Sequence, residues 1–93
     1  MQRKTQRRNS FEIINDILFL MQRKGGKLKP THILYGGNLS YDRLKKYMDQ
    51  LESRKLVEII FEKDKKFYVL TDKGYEFVNE ARKIKEITDA FGL

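Results

Sequence analysis

The hydrophobic period of this chain changes twice, and the order of those changes restricts the fold more than composition does. Up to residue 54 the apolar residues recur at helical spacing. Over residues 56–70 they are β-branched or aromatic and clustered, and from residue 72 the helical spacing returns. In the first segment Phe11, Ile14, Ile17, Leu18 and Met21 form a stripe that Ile13 and Leu20 widen. Asn9, with Glu12 three residues on, is a capping-box start, and Gly25-Gly26 is a stop, so a helix is predicted to run to about Lys24. Pro30 suits the first turn of a short second helix that Gly36-Gly37-Asn38 ends. Ser40 opens a third, over residues 41–54, with Leu44, Met48 and Leu51 on one face.

The strand-like part follows. Leu56-Val-Glu-Ile-Ile-Phe-Glu62 and Phe67-Tyr-Val-Leu70, joined by a charged turn Lys63-Asp64-Lys65-Lys66, predict a two-stranded β-hairpin. Thr71 or Asp72 caps a last helix reaching about residue 90. Helix, glycine-containing turn and amphipathic helix make a helix-turn-helix. With the hairpin as wing, the expected fold is α+β: a winged helix-turn-helix of three helices and a β-hairpin, followed by a C-terminal dimerisation helix. The expected organisation is a basic arm over 1–8, a reading domain over 9–71 and the C-terminal helix over 72–93.

Composition then removes function classes. The chain has no cysteine, which excludes disulfides and cysteine-based zinc fingers. His32 is the only histidine, too little for a metal site of the usual kind or for a catalytic triad. Gly25-Gly26 and Gly36-Gly37 are helix terminators rather than a phosphate loop. No enzyme, cofactor, metal or small-molecule ligand is expected. The longest apolar run, residues 17–21, is far too short to span a bilayer, and the basic N-terminus lacks the features of a signal peptide. The expected location is cytoplasmic, on the nucleoid. Twenty Lys and Arg against thirteen Asp and Glu give a net charge of +7, which favours a polyanionic partner.

Candidate contacts follow from the architecture. Ser40 and Tyr41 stand at the N-terminal end of the third helix, which this fold points at the major groove; Arg43 and Lys46 face outward from it. Arg43 can hold guanine or grip phosphate in bidentate fashion. Asp42 and Asp49 share that face and oppose phosphate binding, and Asp42 can pair with Lys46 at i,i+4. Lys63, Lys65 and Lys66 cluster at the wing tip, Lys27, Lys29 and His32 flank the start of the second helix, and Arg7 and Arg8 close the basic arm behind Arg3 and Lys4. Tyr35, Tyr47, Tyr68, Phe61 and Phe67 are expected to be core and hairpin packing rather than a platform for single strands. In the last helix Phe77, Ala81, Ile84, Thr88 and Phe91 make a heptad seam with Ile87 beside it, longer than a small core needs, and this predicts a homodimer.

Several segments resemble a known family. The basic arm, Ile13-Ile-Asn-Asp-Ile-Leu18, Lys29-Pro-Thr-His-Ile-Leu-Tyr35 and Asn38-Leu-Ser40 are similar to the small archaeal winged-helix DNA-binding proteins first described as ten-kilodalton chromatin proteins of Sulfolobus. Leu70-Thr71 and Gly74 match the run that leaves the wing in many winged helices. The resemblance covers nearly the whole chain. It implies binding to double-stranded DNA and a dimer joined by antiparallel C-terminal helices. A gene-specific transcription regulator, a protein-interaction module and an RNA-binding domain are the alternatives that share the fold.

Overall fold

A computed structural model describes residues 8–92. The elements are α1 (Ser10–Arg23), β1 (Lys27–Leu28), α2 (Pro30–Gly36), α3 (Tyr41–Ser53), β2 (Val57–Glu62), β3 (Lys65–Leu70) and α4 (Asp72–Ala90). Three helices begin on polar side chains that take up backbone N–H groups the helix leaves orphaned. Asn9 accepts from the Glu12 amide at 2.8 Å while Glu12 accepts from the Asn9 amide at 3.1 Å, a complete capping box. Ser40 accepts from the Arg43 amide, and Thr71 from the Gly74 amide.

The first three helices also end alike. Gly25, Asn38 and Lys55 adopt positive φ one residue past the caps Lys24, Gly37 and Arg54. The following amides then reach back five residues: Gly26 to the Met21 carbonyl, Leu39 to Leu34 and Leu56 to Leu51. This left-handed C-terminal motif turns the chain out of each helix three times. Gly26 has a further reason to be glycine, because a Cβ there would overlap the Tyr75 hydroxyl.

The sheet has three strands in the order β1-β3-β2, all antiparallel, where a two-stranded hairpin was expected. The extra strand, β1, is two residues long and sets Lys27 opposite Val69 and Leu28 opposite Tyr68. The four-residue charged turn is also corrected. Lys65 and Lys66 belong to β3, opposite Glu62 and Phe61, and the turn is Lys63-Asp64 alone, with φ of 51° and 65°. Positive φ at both positions matches the right-handed twist of a two-residue hairpin, although neither residue is the usual glycine.

One core joins these elements. Ile13, Ile17 and Met21 of α1 meet Ile33, then Leu44, Met48 and Leu51 of α3, then Val57, Tyr68 and Leu70 of the sheet. Val78 of α4 completes it at 0% exposure. Gly74 lets α4 seat on the start of β2, since a Cβ there would collide with the Leu56 carbonyl oxygen. Thr71 donates to the carbonyls of Lys55 and Leu56, so the Leu-Thr-x-x-Gly run locks α4 against the exit of α3. Phe11 departs from the expected stripe at 61% exposure. It lies four residues from Asn15 and eight from Phe19, on a second face of α1 turned toward α4. Among the described residues no helix is long and apolar enough to cross a membrane.

Candidate nucleic-acid interface

The buried face of α3 is Leu44, Tyr47, Met48 and Leu51, so helical geometry places Asp42, Lys46 and Asp49 on the ridge opposite. Tyr41 and Lys45 lie on the flank toward the wing, and Arg43 on the other flank, beside Tyr47. The Tyr47 hydroxyl is 3.4 Å from Ser10 Oγ, which ties α3 to the start of α1. The expected Asp42–Lys46 pair does not form. Lys46 Nζ instead sits 5.3 Å from the centre of the Tyr47 ring, and none of the ion pairs among the described residues includes Asp42. Asp49 is engaged by Lys45 at 3.1 Å, a residue that was not among the expected contacts. That hydrogen bond, then the carboxylate charge, holds the Lys45 ammonium above its usual range, with smaller contributions from Tyr68 and Tyr41.

On the wing, the Tyr68 ring is buried in β3 and Lys66 Nζ lies 5.0 Å from its centre. Lys63 and Lys65 are exposed at and next to the turn. A capped helix lies with its ridge to solvent and its N-terminus free, and a lysine-bearing hairpin stands against one flank. A family model described as winged helix-turn-helix matches residues 7–89. The chain belongs to the winged helix-turn-helix family.

Solved winged helices share its architecture. Sso10a-2, a DNA-binding protein from Sulfolobus solfataricus, is 30% identical with a TM-score of 0.76, over 90% of this chain and 85% of that one. F93 from STIV, a winged-helix DNA-binding protein, is 19% identical with a TM-score of 0.74, over 86% and 92%. A MarR family transcriptional regulator from Silicibacter pomeroyi is 20% identical with a TM-score of 0.76, over 87% of this chain but 56% of its own. At these lower identities the likeness is one of fold. No curated protein sequence matches the chain.

The remaining candidates around the winged helix are less alike. Lys29 is the N-cap of α2 without a side-chain cap bond, and His32 is exposed one turn on. Arg8 is not free: it donates to Asp16 and to the Gly37 carbonyl, both at 2.8 Å, and so ties the start of α1 to the α2–α3 turn. Arg3, Lys4 and Arg7 lie outside the described residues. Lys27, which flanks the start of α2 with Lys29 and His32, pairs with Glu62 and lies 4.8 Å from the Phe67 ring centre. Two aromatics taken for packing are exposed, Tyr35 on α2 and Phe61 on the wing at 68%. Strand alternation put Phe61 on the same face as buried Val57, but β2 runs past the core before it reaches Phe61.

The C-terminal seam is largely uncovered. Ile84 is 59% and Phe91 75% exposed, Phe77 and Ile87 are also open, and Ala81 and Thr88 are half-buried. Phe77, Ala81, Ile84 and Thr88 form one wall of an open groove of about 470 Å³ whose other wall is Phe11, Asn15 and Phe19. The Asn15 side-chain oxygen is buried there without a hydrogen-bond partner among the described residues.

Proposed function

We propose that this winged helix binds double-stranded DNA as a homodimer, in an architectural, chromatin-associated role, with α3 in or near the major groove. The observation that carries the reading is the winged helix-turn-helix itself with its exposed lysines, Lys46 on the ridge of α3 and Lys63, Lys65 and Lys66 on the wing. Lys46, Lys63, Lys65 and Lys66 would neutralise phosphates, and Ser40, Tyr41 and Arg43 would approach base edges or sugar. Lys29 and His32 would meet the backbone at the start of α2, and the charges of Arg7 and Arg8 would steer association. Binding of this kind releases counterions, so its strength depends steeply on salt.

The dimer reading rests on the pattern of α4. Two antiparallel copies centred on Ile84 set Phe77 against Phe91 and Ala81 against Ile87, so large residues meet large ones at the ends and small meets large between. Such pairing would point the two reading heads away from each other. It would also cover the groove between α1 and α4.

Titration with several unrelated duplexes at two salt concentrations tests the DNA reading. With about four to six phosphates neutralised per unit, the log-log slope of affinity against salt should fall near −4 to −5. Salt-independent binding, or none to any duplex at low salt, overturns it.

A further inference from the structure

A protein that held DNA through phosphates alone would gain nothing from a carboxylate on its reading face. Asp42 sits there, at the second position of α3, on the ridge opposite the buried Leu44 and Met48. Two ordinary reasons for an aspartate at this point are weak here. The N-cap hydrogen bond is already made by Ser40, which accepts from the Arg43 amide at 3.2 Å. The i,i+4 partner, Lys46, is turned onto the Tyr47 ring, and Asp42 has no ion pair among the described residues. What remains is a favourable charge at a helix N-terminus, a small term in solvent. Against a duplex that term is opposed by the phosphates, which repel a carboxylate at close range. The unfavourable charge is offset if the carboxylate reaches a hydrogen-bond donor. In the major groove the donors are exocyclic amino groups, and an aspartate, which only accepts, suits the N4 amino group of cytosine.

We propose that Asp42 is a specificity determinant through which α3 prefers cytosine at one position of its site. The inference rests on the duplex-binding reading above and adds base discrimination to it. Asp42→Asn is the informative change. An amide both donates and accepts, which matches the N6 and N7 edge of adenine, so the preference should move from cytosine to adenine. Asp42→Ala should lose the preference and bind an arbitrary duplex as tightly as the wild type or more tightly, because a repelled charge has gone.

The test is selection of preferred duplexes from a random pool by the full chain and by both variants. Affinities for duplexes carrying each of the four base pairs at the selected position follow. The expected result is a discrimination of about fivefold or more for cytosine in the wild type, adenine in Asp42→Asn and none in Asp42→Ala. Thermal melts of both variants check that α3 is still folded, and Asp42→Asn keeps the test open should the alanine variant not fold. A wild type that binds every sequence equally, or the same preference in all three proteins, overturns the role of Asp42 while leaving duplex binding intact. A wild type that binds no duplex overturns the DNA reading itself.

Discussion

Helices α3 and α4 begin in the same way and end in opposite surroundings. Each starts on a hydroxyl cap, Ser40 or Thr71, with an aspartate in its first turn, and each carries an apolar stripe. In α3 the whole stripe is covered by its own domain and only charged or polar residues look outward. In α4 the core ends at Val78, and Ile84, less than two turns on, is in solvent. Beyond Val78, α4 lies beside α1 across the open groove, with Arg82 donating to Gln22 and set over the Phe19 ring, while Ile84, Ile87 and Phe91 stay largely exposed. The molecule measures 45 × 30 × 21 Å with a radius of gyration of 14.0 Å. A compact chain of this length would have roughly 12 Å. The contrast separates what the fold needs from what it offers to partners. The fold buries the stripe to about Ala81, and beyond that the apolar residues are more than half exposed in the monomer.

The largest effect should expose that boundary directly. Val78→Asp places an unpaired carboxylate in the core at a cost of several kcal/mol. That is a large part of the 5–15 kcal/mol a small domain has. The variant should be unfolded, or melt far below the wild type, by circular dichroism. Ile84→Asp puts the same charge six residues along the same helix, and it should fold normally as a monomer in sedimentation equilibrium. Its apparent DNA affinity should fall through loss of the second head rather than loss of contacts. A wild type that is monomeric at tens of micromolar would erase the contrast. A variant that stays dimeric would move the interface elsewhere.

A smaller effect separates helix from wing within the reading end. Arg43→Ala should weaken DNA binding by about 1–3 kcal/mol if the guanidinium grips a base. Lys65→Ala and Lys66→Ala should each cost less and act equally on all sequences, because a lysine at the wing is a point charge on the backbone. Lys66 also rests on the Tyr68 ring, so its loss should exceed that of Lys65. An unchanged Arg43→Ala variant would remove that flank of α3 from the interface.

How far all this could be read in the sequence varies with the physics of each part. The helices were legible because their caps are local. Asn9 with Glu12, Ser40 and Thr71 satisfy amides within three residues of themselves, and no distant partner is involved. The first residues of β3 were not, because Lys65 and Lys66 have low strand propensity and enter the strand through pairing with Phe61 and Glu62. Strand β1 has two residues and no period; it exists because Gly26 and its neighbours are delivered to the free edge of β3, where the Gly26 carbonyl accepts from the Leu70 amide at 2.8 Å. Phe11 was assigned to the wrong face because its residue type fits either stripe of α1. At the candidate interface, residue types identified Arg43 and Lys46. The engagement of Lys45 with Asp49 and the release of Lys46 from Asp42 depend on side-chain choices among i,i+3 and i,i+4 neighbours that spacing leaves open.

The smallest expected effect makes the comparison of the two helices sharpest. Each carries a lysine followed four residues later by an aspartate: Lys45 with Asp49 at 3.1 Å, and Lys85 with Asp89 at 3.5 Å. Both pairs are well exposed and share the less favourable order of charges along the helix, so neither should matter much to stability. Asp49→Asn and Asp89→Asn should each leave the melting temperature within error of the wild type. Their effects on DNA binding should differ. Asp49 lies on the ridge of α3, and its removal deletes a charge facing the phosphates and frees Lys45. Affinity should rise several-fold at low salt, and the salt slope should steepen by about one as one more phosphate is neutralised. Asp89 stands on the protruding part of α4, away from the reading face, and its loss should change neither affinity nor slope. Fluorescence anisotropy with one duplex at several salt concentrations measures both variants. Equal gains in the two would mean that net charge alone sets affinity. A gain confined to Asp49→Asn would locate the DNA on α3, because the two substitutions change the total charge identically.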